Sequence, residues 1–399
     1  MSVTEPAARE RSASAGELPL GGAGALVSFD EFAAGASIIT AQADDRAADR
    51  TASTPRWGRA AVVGALLVAA LLIMIVISAG SGQLHVPPAE VVGAITSKLG
   101  LDWFPVPTHA QGESALFTIR FPRIVMAMLV GAALATAGAL MQGVFGNPLA
   151  EPGVVGVSSG AALAASSVIV FGITFAGNWT VAVMAFAGGL ITSLVVFALA
   201  RSRGRSEVVT LILTGVAINA FCGAGLAFLT FLGDTQAREQ IVFWQLGSLN
   251  GTRWQYVAVV APLVLIGFIA SLAMARRLDL LSLGDRVARH LGVNVERLRL
   301  LAIVVVALMT GAAVAFCGII SFVGLVVPHI IRMAVGPNHR TLIPLSAVGG
   351  ALLLVSADLV ARTAIPFADL PIGMLTSLVG GPFFFWLLRR TRSRAGGWA

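Results

Sequence analysis

Three groupings of side chains in this sequence are of types that do chemistry. Gly156-Val157-Ser158-Ser159-Gly160 fits G-x-S-x-G, the pattern that exposes a nucleophilic serine on a sharp strand-to-helix turn. Such a serine needs Asp and His partners. Here the motif opens an apolar helical run with neither nearby, so close helix packing through small residues is the better reading. Asp358 and Arg362 stand four apart in a long apolar stretch. An acid at membrane depth can carry a proton or an ion, but an i, i+4 ion pair near a helix end accounts for both residues without transport chemistry. His85, His109, His290, His329 and His339 are scattered without metal-ligand spacing. Cys222 and Cys317 lie inside apolar runs, as small core residues do. No metal or cofactor is expected on this chain.

Nucleotide chemistry is missing as well. The one lysine, Lys98, sits between Ser97 and Leu99, outside any G-x-x-x-x-G-K-[ST] loop that could cradle phosphates. The chain is therefore not expected to be an enzyme. If ATP drives it, the nucleotide sits on a second polypeptide.

The elements that would position these residues follow from composition. Of 399 residues 57% are hydrophobic and 12% charged, about half the charge of a soluble domain. Mean hydropathy is +0.87. At about 20 residues per membrane helix, the apolar content suffices for about ten spans. Apolar runs predict helices over 58–80, 123–143, 154–174, 179–200, 207–231, 254–275, 298–317, a short one at 321–334, then 341–363 and 371–388. Residues 1–56 are rich in Ala, Ser, Gly and acids, with eight negative and six positive charges up to Arg59, and read as a disordered cytoplasmic tail. A signal peptide is not expected, because the first long apolar run begins only near Ala60. The ten-helix membrane body is expected over 57–390, with a short cytoplasmic C-terminal tail over 391–399.

Arginines set the orientation. Short loops rich in Lys and Arg stay in the cytoplasm. Arg56 and Arg59, then Arg201, Arg203 and Arg205, then the run from Arg276 to Arg299, then Arg389 to Arg394 all fall on one side if both termini are inside. Arg120 and Arg123 would then lie outside. The net charge of +7 is dispersed between spans, without the clustered footprint of nucleic-acid binding.

The loop over about 279–297 is more than a connector. Leu283, Val287, Leu291 and Val295 recur every four residues as one helical face, and Gly284 and Gly292 divide the segment into short helices. With Asp279, Asp285 and Glu296 among its arginines, it reads as a docking element. The sequence also echoes itself. Gly131-Ala-Ala-Leu-Ala-Thr-Ala-Gly138 and Gly311-Ala-Ala-Val-Ala-Phe-Cys-Gly318 share a pattern 180 residues apart, and the match continues at Pro148 with Pro328 and at Gly156 with Gly336. The spans carrying the two copies would run in opposite directions, as in the inverted repeats of many transporters.

Several segments together resemble the FecCD type of iron-complex and cobalamin importer permease. They are Arg120-Phe-Pro-Arg123, LVGAALATAGALMQGVFGNPLAEPGVVGVSSGAA from Leu129 to Ala162, W-x-x-G-S-L at Trp244 to Leu249, LSLGDRVARHLG at 281–292, GIISFVGLVVPHIIR at 318–332, GPNHR at 336–340, ADLVAR at 357–362 and LPIGMLTSLVGGPFFFWLL at 370–388. The resemblance implies an all-α integral membrane protein, ten transmembrane helices with an inverted repeat, in the architecture of a type II ABC importer permease. It further implies a homodimer, two ABC ATPase subunits carrying the ATP, and a solute-binding protein outside. By the same resemblance Leu283, Gly284, Ala288, Leu291 and Gly292 would contact the ATPase. Arg120, Arg123 and Arg362 would pair with acids of the binding protein. Gln142, Asn147, Pro148, Gly156, Ser158, Ser159 and Gly160 would form a pathway or packing motif.

The stretch from Gln236 to Leu249 and EPGVVGVSSGAA at 151–162 look most like haem permeases, which favours haem as cargo, ferric siderophore next and cobalamin third. A different class, an ion-coupled secondary transporter, stays open at the level of the residues. The expected location is a bacterial cell membrane, in contact with lipid and without nucleic acid.

Overall fold

A computed structural model of the chain describes residues 56–202 and 205–394. The tail expected over 1–56 lies outside them, Arg56 apart. Long apolar runs become long helices: α1 (Arg56–Gly80), α3 (Phe121–Phe145), α4 (Val157–Phe171), α5 (Thr180–Leu199), α6 (Val208–Leu232), α8 (Trp254–Leu281), α10 (Val295–Cys317), α11 (Val323–Val335), α12 (His339–Thr363) and α13 (Ile372–Arg394). Among the described residues seven helical stretches are long and apolar enough to cross a membrane, and α4, α11 and α13 are shorter apolar ones, so each of the ten expected apolar runs is a helix. α13 continues as helix to Arg394, past residue 390.

Three further helices are too short or too polar to span. α2 (Pro88–Lys98) starts on a proline, which suits a first-turn position lacking a hydrogen-bond partner. α7 (Thr235–Leu246) is capped by Asp234, whose carboxylate accepts the Ala237 N–H at 2.7 Å. α9 (Asp285–His290) lies in the loop flagged for docking. A π-helical turn, Ala115–Arg120, leads into α3. Among the described residues the only paired strands are β1 (Arg201–Ser202) and β2 (Arg205–Ser206), a minimal hairpin between α5 and α6.

The core is built on α3. Its apolar window is 78% buried and that of α10 is 72% buried, against 6% for α1; two helices sit in the middle and α1 faces out. α3 packs most extensively on α12, antiparallel to it. Arg123 meets Asp358, Gly131 meets Gly350, and Gly143 meets His339. A Cβ placed on Gly131 would fall 2.2 Å from the Gly350 carbonyl oxygen, and the converse distance is the same. Only glycine at both positions lets the backbones meet.

Two to three turns further along α3, Gly138 and Gln142 address two consecutive carbonyls of α11. A Cβ at Gly138 would lie 1.8 Å from the Gly324 oxygen, while Gln142 Nε2 donates to the Leu325 oxygen at 3.2 Å. Pro328 has no N–H to give the Gly324 carbonyl four residues earlier, which leaves that oxygen free to lie against the glycine.

The repeat has a structural counterpart. α3 begins beside Asp358 and ends beside His339, whereas α10 begins beside Ser206 and ends beside Ser248, so the two copies run in opposite directions. Their glycines do different work. Gly311 faces the ring of Phe186, and Gly318, at φ +67°, ends α10. Following the orientation expected from the arginines, the end bearing residues 201–206 and 279–299 is termed inner, and the end bearing Arg120 and Asp358 outer.

Candidate functional site

At the outer end the structure gathers Arg120, Arg123 and Arg362, which stand on separate turns of two helices. Arg120, brought round by the π turn, donates to the backbone oxygens of Ala79 and Leu84, at and just beyond the end of α1. Arg362 donates to the oxygens of Ser81 (2.6 Å) and Ser78 and to the Ser78 hydroxyl (2.7 Å). The last carbonyls of a helix lack intrahelical donors, and two guanidiniums supply them here. Arg123 reaches Asp358 through Nε (2.8 Å) and Asp369 through Nη1 (3.0 Å).

Asp358 is fully buried. Its pair with Arg362, legible in the sequence, is a 3.4 Å charge contact without hydrogen-bond geometry. The tighter partner is Arg123, 235 residues away. The resemblance implied guanidiniums presented to another protein. In the structure all three engage partners within the chain and are nine-tenths buried. Asp369, 30% exposed, is the most accessible member of the cluster.

At the inner end Gly284 (φ +98°) and Gly292 (φ +83°) make the turns on either side of α9, a conformation that favours glycine. Leu283, Val287 and Leu291 are exposed, forming an apolar ridge. Val295, expected on the same face, is buried because it opens α10 after the Gly292 turn. Ala288 is also fully buried, so it supports the ridge from beneath and does not belong to its surface.

Charges hold this element in place. Arg299, itself buried, donates to Asp285 (2.8 Å) and to the Ser206 carbonyl (2.6 Å). Glu296 accepts the Ser206 N–H (2.9 Å) and hydroxyl (2.6 Å). Asp279 receives the backbone N–H of His339 (2.9 Å) and its Nδ1 (2.6 Å). The three acids read from sequence as docking groups thus bind the loop to α10, α12 and the β hairpin. Arg286, Arg289, His290 and Arg297 stay exposed around the ridge.

After α3, the chain breaks at Gly146 (φ +60°), turns through Asn147, Pro148 and a 3-10 turn over Pro152–Val155, and re-enters helix after Gly156 (φ +81°). Asn147 Oδ1 accepts the Leu149 N–H (2.9 Å) and so fixes the turn. Gln142 is fully buried, bridging the Leu325 carbonyl and Arg332 Nη2 (3.2 Å). Ser159 donates to Asn219 Oδ1 (2.6 Å), and Asn219 donates to the Gly153 oxygen (3.2 Å). A Cβ on Gly160 would meet Thr192 Oγ1 at 2.1 Å. Ser158 lies in the first turn of α4 and is bonded to no acid or histidine among the described residues. The G-x-S-x-G stretch is therefore a packing motif, joining α4 to α5 and α6.

Sequence reasoning missed Asp279, His339, Glu296 and Arg299 as positioning residues and Asp369 as a member of the outer cluster. Apart from Asp285, 14 residues before Arg299 and across the turn at Gly292, their partners lie 60 to 246 residues away, beyond any local spacing.

The profile of the FecCD transport family matches residues 70–390. The chain is 43% identical over 330 residues to the hemin transport system permease protein HmuU of Yersinia pestis, covering 82% of this chain and 96% of that protein. It is 40% identical to the cobalamin import system permease protein BtuC of Halobacterium salinarum, covering 87% and 100%, and 39% identical to the Fe(3+)-citrate import system permease protein YfmE of Bacillus subtilis, covering 84% and 97%. A solved structure described as a metal-chelate type ABC transporter in an inward-facing conformation superposes with a TM-score of 0.71 at 32% identity, over 82% of this chain and 99% of that one.

Proposed function

The chain belongs to the FecCD transport family, and from that premise we propose that it is the membrane-spanning subunit of an ATP-driven importer that brings an iron complex, haem before others, into the cytoplasm. The observation that carries this is the ridge of Leu283, Val287 and Leu291, exposed on and at both ends of a firmly mounted short helix, in a chain without a phosphate-binding loop. Three large apolar side chains projecting together around a short helix are what a groove on another protein accepts. The partners are two ATPase subunits, one under each copy of a homodimer. When ATP closes them, the ridge moves with them. Arg299 and Glu296 carry the motion into α10, and Asp279 with His339 carries it into α12. The bundle alternates between outward and inward openings, receiving cargo from a solute-binding protein at the outer end.

Docking of that protein through Arg120, Arg123 and Arg362 requires an exchange of partners. Incoming carboxylates would replace Asp369, the most exposed internal acid. Replacing the three arginines by Glu should weaken docking in a salt-dependent way; unchanged docking removes them from the interface. The inner end faces the cytoplasm of a bacterial cell, with both termini on that side.

Haem is supported by 43% identity to a hemin permease along 96% of its length. Cobalamin or a ferric chelate is the second reading, on permeases at 40% and 39%. Proteoliposomes holding this chain with its ATPase, presented with haem, ferric siderophore or cobalamin on their binding proteins, test both. ATP-dependent haem uptake is expected. Uptake by this chain alone on a proton gradient would establish a secondary carrier instead.

A further inference from the structure

A cavity of about 800 Å³ opens at the inner end between the start of α1, the end of α8, the end of α11 and the start of α12. Arg59 and Arg340 line it from two different helices, with Ser282, Asn338 and Thr341 adding polar walls and Met333 an apolar one. Both arginines are exposed. Neither guanidinium donates a hydrogen bond or joins an ion pair within 4 Å among the described residues, although the charge of Arg340 acts on the Asp279 carboxylate. This sets them apart from Arg120, Arg123, Arg299 and Arg362, each of which has internal partners.

The cavity also holds one acid, Asp279, whose Oδ1 is taken by two contacts from His339. Two guanidiniums against one engaged carboxylate leave the site positive. The first amides of α12 are occupied as well: Asn338 Oδ1 accepts the Arg340 N–H at 2.9 Å, and Asp279 accepts that of His339. An anion here would be held by the guanidiniums.

The place in the fold narrows the ligand. Arg59 directly precedes the apolar run of α1, the span with the least of its surface buried, so the cavity adjoins lipid where the hydrocarbon core begins. Met333, exposed beside it, continues the wall with apolar surface. Charged guanidiniums above an apolar wall, opening to the bilayer between helices, match a phosphodiester headgroup followed by its acyl chains. We infer that the cavity binds an anionic phospholipid of the inner leaflet, its phosphate held between Arg59 and Arg340.

The full chain, purified in neutral detergent, can be titrated with phosphatidylglycerol or phosphatidylcholine and read by native mass spectrometry, alongside R59Q, R340Q and the double variant. Phosphatidylglycerol retention should exceed that of phosphatidylcholine and should drop about five-fold for each arginine removed. Thermal unfolding of the variants without added lipid should stay close to the parent, because neither guanidinium donates a hydrogen bond within the chain and Arg340 acts on Asp279 only through its charge. Equal retention of the two lipids, or unchanged retention in the double variant, overturns the inference. A third arm adds inorganic phosphate at millimolar concentration. Full displacement of the lipid by phosphate alone would make this a soluble-anion site and overturn the lipid assignment.

Discussion

At the outer end, three arginines close on a buried aspartate and on the carbonyls near the end of α1 until little of them reaches water. At the inner end, arginines and acids of the 279–299 loop also pair with one another, but their pairing pushes three apolar side chains outward. The same residue types thus do two jobs. In the first region the charges fasten helix ends to one another and are themselves the structure. In the second they are a mounting, and what they present outward is hydrophobic. The difference teaches that a charge count along a sequence does not identify a docking surface; the state of each charge's partners does.

The sharpest way to break this comparison is Asp358→Ala. It takes from Arg123 its closer carboxylate and from Arg362 its one ion pair, leaving Asp369 and the Ser78 and Ser81 oxygens as their partners, and removing one partner of a buried pair costs about 3–5 kcal/mol. Thermal unfolding in detergent should show a large drop in midpoint; a variant as stable as the parent would mean that the outer charges are not structural. Next is Gly138→Ala, whose added Cβ would meet the Gly324 carbonyl at 1.8 Å, an overpacking worth about 1–3 kcal/mol. The matched change Gly311→Ala meets only the Phe186 ring at 3.3 Å and should cost clearly less in the same assay. Equal costs would mean that the two copies of the repeat pack alike. Leu283→Asp with Leu291→Asp should leave stability within about 0.5 kcal/mol, as exposed substitutions do, while retention of the partner ATPase falls about ten-fold or more in co-purification. Loss of folding with no specific loss of partner would turn the ridge into core. The smallest effect belongs to Lys98→Ala. Lys98 meets Glu113 at 2.6 Å, but both side chains are more than half exposed, so a change within about 0.5 kcal/mol is expected, and urea titration of the two proteins would reveal a larger one.

Much of this was legible from the residues. A membrane helix needs a run of about 20 apolar residues, and each of the ten runs became a helix close to its expected bounds, save that α8 and α13 each continue six residues further. α2 and α7 were not read, because eleven or twelve residues of mixed polarity do not stand out from a loop. Gly284 and Gly292 marked the breaks around α9 correctly, since a positive φ favours glycine. The four-residue periodicity misled at Val295, where the turn at Gly292 interrupts the helix that the periodicity assumed. Asp358 with Arg362 could be seen because an i, i+4 pair is local, whereas Arg123 as the closer partner depends on α3 and α12 lying antiparallel in contact. Likewise the acids of the 279–299 loop looked free in sequence, and only Ser206, Arg299 and His339 in space reveal that they are engaged.

The backbone contact of Gly131 with Gly350 has a mechanical consequence. Two rods whose surfaces interlock at mid-length, and which are pinned at one end by Arg123 with Asp358 and closed at the other by His339 against Gly143, cannot slide along each other. They can only tilt together. α3 and α12 therefore behave as a chassis, and any widening of the bundle falls to walls fastened less firmly, such as α6 and α13. A search for moving parts should begin there, with distance probes on α6 and α13 referenced to the fixed pair.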